Sequence, residues 1–159
     1  MRVALVSSLA VGINGDPPVR RMSQLNEMMS NYNSGFSIVK HFAYGCNCNM
    51  LVGDRPLSQS GHGQPIDSVD STCKLYKSCQ QCVIDHYGDS CIGEFTDYNF
   101  SINNGEAVCN DQSGTCARAV CECDAEFALA HSETVHDFNQ DFSHIFAAFQ
   151  FETICRKHL

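Results

Sequence analysis

The spacing of apolar residues along the chain predicts a mainly helical protein. Over 22–33, apolar side chains recur at helical intervals and turn residues follow, which indicates a short N-terminal helix. A second stretch with the same periodicity can be capped by Asp67 or Ser68 and continues to about Asp85. A third stretch covers 115–131. We therefore expect one short helix and two long ones.

Three further segments have patterns of their own. Apolar residues alternate over 98–102, an Asn-Gly turn follows at 104–105, and apolar residues return at 107–108, which is typical of a β-hairpin. The segment 135–151 places phenylalanines at helical spacing and predicts an amphipathic, helical C-terminal extension. The segment 49–64 is rich in glycine and proline and is expected to form a loop.

One face of the second predicted helix carries an unusual set of side chains. Four residues follow the spacing i, i+3, i+4 and i+7 and therefore share one side of the helix. They are Cys73, Tyr76, Lys77 and Gln80. Because a disulfide-forming cysteine is expected to face the body of the protein, Tyr76 and Lys77 should point inward with it.

The composition indicates disulfide bonds and an extracellular location. The 159 residues suffice for one domain with a core, and the 11 cysteines indicate a disulfide scaffold formed in an oxidising compartment. Residues 1–21 contain a basic residue and a short apolar run, and are interpreted as a signal peptide with a short pro-segment. We expect a secreted protein with one domain over 22–159. It is not expected to be transmembrane, because no apolar stretch approaches about 18 residues.

The net charge of −8 restricts the classes of partner. Nucleic acid is not expected, because a basic surface supplies most of the affinity for it. Anionic membranes likewise attract basic surfaces. A cation or a mineral stays open as a partner.

The cysteine motifs resemble those of a known family. They read Tyr44-Gly45-Cys46-Asn47-Cys48, then Asp70-Ser71-Thr72-Cys73-Lys74-Leu75-Tyr76-Lys77-Ser78-Cys79, and finally Cys109-x6-Cys116-x4-Cys121-x-Cys123-Asp124. Over about 22–129 the chain resembles the secreted phospholipases A2. The resemblance implies a mainly α, disulfide-rich fold with two long antiparallel helices, an N-terminal helix and a small β-hairpin wing.

The resemblance also implies a set of disulfides. The family usually has two adjacent cysteines where this chain has Thr72-Cys73, and the partner of the missing one would lie near Ala130. Cys82 has no counterpart and is the candidate for an unpaired thiol, with Cys155 next, so a dimer through an odd cysteine is open. The implied pairs are Cys48–Cys73, Cys79–Cys123, Cys91–Cys116, Cys109–Cys121 and Cys46–Cys155.

A zinc site is the alternative use of the cysteines. Cys79-x-x-Cys82 and Cys121-x-Cys123, with nearby histidines, offer ligands of the type that zinc prefers. The secretory context favours disulfides instead.

In the family, an adjacent His-Asp pair supplies the general base and the main calcium carboxylate. At these positions the chain has Tyr76 and Lys77. It keeps the aspartate that orients the base as Asp124 and a supporting tyrosine as Tyr98. The compact glycine repeat of the calcium loop is missing, and its remnants are Asn47 and Asn49.

These replacements oppose the family chemistry. A tyrosine, with an ordinary pKa of about 10, is a poor base at neutral pH. Lys77 has no acceptor and cannot ligate calcium, so we expect its ammonium near the loop carbonyls and Asp124. Tyr76 is expected to hydrogen-bond Asp124. No competent catalytic group, metal or cofactor is therefore predicted, and the function is expected to rest on binding a mineral or extracellular matrix, or a lipid or fatty acyl chain.

Two other functions stay open. A calcium-dependent phospholipase A2, hydrolysing the sn-2 ester, would need calcium at Asp54, Asp67 or Asp70 and a base at His62 or His86. A toxin-like membrane disruptor is the other, because some inactive family members have a lysine at the position of Lys77. Those proteins are strongly basic, and this chain is acidic.

Two smaller features complete the candidate sites. His131, His136 and His144 accompany acidic residues and suggest either metal capture or a pH response, or simply an exposed polar face opposite the phenylalanines. Asn99-Phe100-Ser101 is a glycosylation sequon, with Asn99 expected on the outer face of the hairpin.

Overall fold

The computed structural model describes residues 22–50 and 61–158. The predicted signal peptide and Asp54 lie outside these residues. The helices are α1 (Ser23–Tyr32), α2 (Ile38–His41), α3 (Ser68–Tyr87), α4 (Cys116–Thr134) and α5 (Phe151–Ile154). The strands are β1 (Ala43–Tyr44), β2 (Cys48–Asn49), β3 (Phe100–Asn103) and β4 (Glu106–Cys109). Single 3-10 turns cover Gly93–Phe95, Val135–Asp137, Gln140–Phe142 and Cys155–His158.

The two long helices form the frame of the domain. The Asp67 carboxylate caps α3 by accepting a 2.8 Å hydrogen bond from the amide of Asp70, and Thr115 caps α4 in the same way. Both helices run two to three residues beyond their predicted ends, and α3 stops at Gly88, whose φ of +95° is outside the helical region. The helices pack antiparallel, with α1 against α4, which confirms the predicted architecture. No described helix has both the length and the apolar character needed to cross a bilayer.

Five disulfides fix this frame. Cys79–Cys123 joins α3 directly to α4, and Cys48–Cys73 joins β2 to α3. Cys46–Cys155 spans 109 residues and ties the C-terminal end to the segment between β1 and β2. The remaining bonds are Cys91–Cys116 and Cys109–Cys121. Cys82 is a free, exposed thiol.

The strands form two small antiparallel pairs. β1 pairs with β2, which brings Tyr44 opposite Cys48. β3 pairs with β4 from Phe100↔Cys109 to Asn103↔Glu106. The turn between them uses Asn104 and Gly105 at φ +53° and +86°, the positive values that an Asn-Gly hairpin turn requires. The predicted hairpin is therefore confirmed.

The C-terminal segment corrects a prediction. Residues 135–150 form two single 3-10 turns and a bridge from Ser143 to Tyr44, and not the continuous amphipathic helix that the phenylalanine spacing suggested. The Ser143 hydroxyl accepts hydrogen bonds from the amides of Ile145 and Phe146 at 3.2 and 3.1 Å. These local bonds replace helical ones, and Ile145 and Phe146 are left about half exposed.

A buried aromatic cluster lies where α2 meets α4. His131 has no exposed surface, and its ring makes edge contacts with His41, Phe36 and Phe127 at centroid distances of 5.1, 5.9 and 5.8 Å. Neither ring nitrogen has a hydrogen-bond partner among the described residues. Burial lowers the pKa of His131 to about 4. The prediction that His131 belongs to an exposed polar face is thus wrong. His131 follows Phe127 by one helical turn and lies on the buried side of α4.

The aromatic cluster predicts a loss of stability in mild acid. The folded-state pKa of His131, about 4, is below the ordinary 6.5. Between about pH 6.5 and pH 4, the unfolded chain therefore binds a proton that the folded chain does not. The free energy of unfolding should fall by about 3 kcal/mol as the pH decreases from 7 to 4. Denaturant unfolding with intact disulfides, measured from pH 7 to pH 4, tests this.

His131→Leu should flatten that dependence. The curve will not become level, because burial also lowers the pKa of His41. His136→Leu, at an exposed position, is the matched control and should keep the wild-type slope. Equal slopes in the wild type and His131→Leu would contradict the prediction.

Candidate functional site

The site is centred on the buried carboxylate of Asp124, on α4. Its Oδ1 accepts a 2.7 Å hydrogen bond from the Tyr76 hydroxyl, and its Oδ2 accepts one of 2.6 Å from the Tyr98 hydroxyl. The side-chain amide of Gln80 donates to Oδ1 at 3.3 Å. Tyr76 and Gln80 are one turn apart on α3, which explains why both reach the same carboxylate. Sequence reasoning placed Gln80 on the inward face but gave it no role.

Burial controls the protonation of these groups. It raises the pKa of Asp124 to about 6, against the opposing effect of the hydrogen bonds from Tyr98 and Tyr76. Burial, followed by the charge of Asp124, raises the pKa values of both tyrosines well above their usual 10. The Tyr76 ring also stacks on Phe127 at 4.3 Å. At neutral pH both hydroxyls therefore stay protonated, and each is directed at Asp124 as a donor.

Lys77 lies beside the polar loop. Only 7 % of it is exposed, and its Nζ donates a 3.1 Å hydrogen bond to the side-chain oxygen of Asn47. Gly61 packs directly against it, since a Cβ there would lie 3.0 Å from Nζ and 2.4 Å from the carbonyl oxygen of Cys46. Burial lowers the pKa of Lys77 to about 8, although the charge of Asp70 acts in the opposite direction. The side chain is thus mostly a cation at neutral pH.

Asp70 organises the loop that carries Asn47. The carboxylate has no exposed surface and accepts five hydrogen bonds, close to the four lone-pair positions that it offers. Oδ1 accepts from the amides of Asn47 and Cys48 at 2.6 and 3.1 Å. Oδ2 accepts from the amides of Cys46 and Ile66, at 3.0 and 3.1 Å, and from the side chain of Asn47 at 3.2 Å.

Gly45 allows this close approach. Its φ is +57°, and a Cβ there would lie 2.6 Å from the Asp70 carboxylate. Sequence reasoning saw Asp70 only as a first-turn acid or an alternative calcium ligand. In the structure both of its oxygens are directed at loop donors, so that use of Asp70 is excluded. Asn47 links the two charges, because it donates to Asp70 and accepts from Lys77.

Comparison with known proteins identifies the frame that holds these groups. Residues 22–143 match the sequence model of the phospholipase A2 family. The chain belongs to the phospholipase A2 family. Acidic phospholipase A2 1 from Macrovipera lebetinus is 28% identical over 138 residues, which cover 87% of this chain and 86% of the relative. Acidic phospholipase A2 PLA-2 from Eristicophis macmahoni is 29% identical over 119 residues, 75% of this chain and 86% of the relative.

Among the described residues, the alternative calcium and base residues Asp67, His62 and His86 make their contacts away from the Asp124 carboxylate of this phospholipase A2 frame. Asp67 caps α3 and accepts a hydrogen bond from the Tyr44 hydroxyl. The His62 ring packs on Phe151, and His86 is exposed near the end of α3. In the described ranges 22–50 and 61–158, no three His, Cys, Asp or Glu side chains converge as a metal site.

The zinc alternative is wrong for a simple reason. Three of its four proposed thiols are consumed in disulfides, Cys79 with Cys123 and Cys121 with Cys109. Cys82 is left as the single free thiol among the described residues.

The C-terminal histidines are separated from one another. His131 is in the aromatic cluster, and His136 is exposed 3.4 Å from Asp137. His144 Nε2 lies 2.6 Å from the carbonyl oxygen of Gly45, and its ring stacks on Phe149. Joint metal capture by the three is therefore excluded, and the expected exposed face holds only for His136.

Two asparagines have distinct surroundings. Asn49 keeps its side-chain oxygen buried without a hydrogen-bond partner among the described residues. Asn99 is exposed, whereas its neighbour Tyr98 is buried. The Asn99 side-chain nitrogen donates to Asp111 at 2.9 Å. Glycosylation of Asn99 stays a prediction.

The Asp70 contacts predict a large effect of a small substitution. Asp70→Asn replaces an acceptor oxygen by a donor and sets it against amide donors. The free energy of unfolding should fall by about 2–4 kcal/mol, because buried groups lose their partners. Denaturant unfolding of the oxidised protein measures it.

Asp85→Asn, at an exposed position on the same helix, is the matched control and should change stability by less than about 0.5 kcal/mol. If the two variants are equally stable, Asp70 does not hold the loop.

Proposed function

We propose that this chain is an extracellular member of the phospholipase A2 family that does not hydrolyse phospholipids and acts by binding. The observation that carries the proposal is the set of hydrogen bonds made to the Asp124 carboxylate. The Asp124 carboxylate receives three donors, and none of these donors is a base at neutral pH.

The first support is the absence of a base at the required position. The resemblance assigns the position of the base to Tyr76, whose pKa burial and Asp124 raise well above 10. A hydroxyl that stays protonated cannot remove a proton from water. Tyr76 donates a hydrogen bond to Asp124, the residue that the resemblance assigns to orienting the base. The contact between the two positions is therefore present, but without a group that can act as the base.

The second support is the presence of an internal cation. The resemblance assigns the main calcium carboxylate to the position of Lys77. The ammonium of Lys77 is buried, lies against Gly61 and bonds to Asn47, so it supplies positive charge to the loop. Calcium requires oxygen ligands, and a neighbouring ammonium repels it.

The ligand belongs to one of two classes within this proposal. The net charge of −8 favours a surface rich in cations, such as a calcium mineral or its extracellular matrix. The half-exposed Ile145 and Phe146 favour a lipid or fatty acyl chain instead. The same acidity argues against a toxin-like attack on anionic membranes. A disulfide-linked dimer through the exposed Cys82 is compatible with either class and would disappear on reduction in an electrophoresis gel.

The proposal predicts no calcium-dependent release of fatty acid from phospholipid vesicles. The wild-type protein should match a protein-free blank in millimolar calcium, and calorimetric titration with calcium should show no saturable binding. The Tyr76→His/Lys77→Asp variant, assayed in parallel, restores the family's residue types and shows whether the rest of the site still supports turnover. Wild-type hydrolysis at the level of an active family enzyme would overturn the proposal.

Two binding assays distinguish the mineral class of ligand from the lipid class. Retention on calcium carbonate crystals that is lost at high salt is expected for the mineral class, because screening weakens charge attraction. Saturable fatty-acid binding that persists at high salt is expected for the lipid class. Ile145→Ser/Phe146→Ser should abolish only lipid binding. If the protein binds neither calcium carbonate nor fatty acid, the proposed binding role is wrong.

A further inference from the structure

A cleft of about 170 Å³ is lined by side chains of α3 and α4. Neither Asn47 nor Asp70 is among its lining residues. Its floor is formed by side chains that are at most 6 % exposed, namely Thr72, Tyr76, Cys123 and Phe127. Its rim is formed by Leu75, Cys79, Glu126 and Ala130. None of these residues has a role in the proposed function except Tyr76, which contributes there through its hydroxyl.

The cleft is held in shape by its own walls. The Cys79–Cys123 disulfide connects the two helices at one end. The rings of Tyr76 and Phe127 stack at 4.3 Å and 15°, and the Tyr76 hydroxyl is fixed to Asp124. A ligand would therefore enter a preformed site and would not have to order it, which lowers the cost of binding.

The floor offers little to water. The hydroxyl hydrogen of Thr72 is already used, because it donates to the carbonyl oxygen of Val69 at 2.7 Å. The other floor groups are aromatic rings and a disulfide sulfur, which hold water weakly. Apolar cavities of about 150 Å³ accept a molecule of the size of benzene. An apolar group of that size would displace poorly held water from this cleft.

The charge at the rim indicates which polar group the ligand should have. Among the eight described lining residues, Glu126 is the only charged one, and it is exposed at the edge of the apolar floor. Its carboxylate complements a positive group and repels a negative one. We propose that this cleft is a binding site for a small organic ammonium ion, with an apolar body of about the size of a benzene ring and its cationic head at Glu126.

The Leu75 side chain fits this assignment. It lies on the rim and is 69 % exposed. A bound apolar body would cover part of it, and that burial adds to the affinity. The site is independent of the proposed function, because this cleft is present whether or not the chain hydrolyses phospholipids.

The test is an NMR titration of the oxidised, isotope-labelled protein with benzylammonium chloride. Amide signals around Leu75, Cys79 and Ala130 should shift and saturate, with a dissociation constant on the order of 1 mM, as expected for so small a ligand. Neutral benzyl alcohol should bind more weakly, and benzoate more weakly still. Equal shifts with benzoate, or shifts that do not saturate, would overturn the assignment.

Three variants locate the site. Ala130→Leu fills the cleft from the rim and should weaken benzylammonium binding at least about tenfold, by removing the volume that the ring occupies. Glu126→Gln should weaken it by about two- to fivefold, the range of an exposed ion pair, and leave benzyl alcohol unchanged. Glu133→Gln, an exposed acid on the same helix outside the cleft, is the matched control.

Each variant is first checked for folding by near-ultraviolet circular dichroism. If Ala130→Leu does not fold, Leu75→Ser tests the opposite rim and should weaken binding of both the ammonium and the alcohol. Unchanged affinity in the folded rim variant, or an equal loss in Glu126→Gln and Glu133→Gln, would contradict the proposed site.

Discussion

The arrangement of the site depends on one buried carboxylate. Asp70 gathers the amides of Cys46, Asn47 and Cys48 around its two oxygens and thereby sets the path of the polar loop. The same segment carries two disulfides, to Cys155 and Cys73, so the loop is held both covalently and by hydrogen bonds. The position of Asn47, and through it the contact of Lys77, follows from this. The path of this loop is thus set by groups of the chain itself.

The buried polar groups of the site form two units, each with its own way of compensating a carboxylate charge. In one, Asp124 is surrounded by the neutral donors Tyr76, Tyr98 and Gln80. In the other, the negative Asp70 and the positive Lys77 share Asn47. Burial of unbalanced charge would destabilise the fold, and each unit avoids this by supplying either donors or a counter-charge. The proposed loss of hydrolysis is therefore compatible with a fully folded protein.

The sequence predicted the helices, the hairpin and the inward face of α3, because periodicity and turn chemistry are local properties. It failed at 135–151, where the Asn139 side chain caps the start of the turn Gln140–Phe142 and the Ser143 hydroxyl accepts from amides that follow this turn. It also failed at His131, whose burial depends on packing against α2. The role of Asp70 could not be predicted either, since its five partners come from two separate segments.

The link from Lys77 through Asn47 to Asp70 has a consequence for substitution in this part of the chain. An acid at position 77 would bring two buried carboxylates to the same asparagine and would remove the ammonium that Asn47 now contacts. The side chains at positions 47, 70 and 77 are therefore electrostatically coupled, and a change at one of them alters the surroundings of the other two.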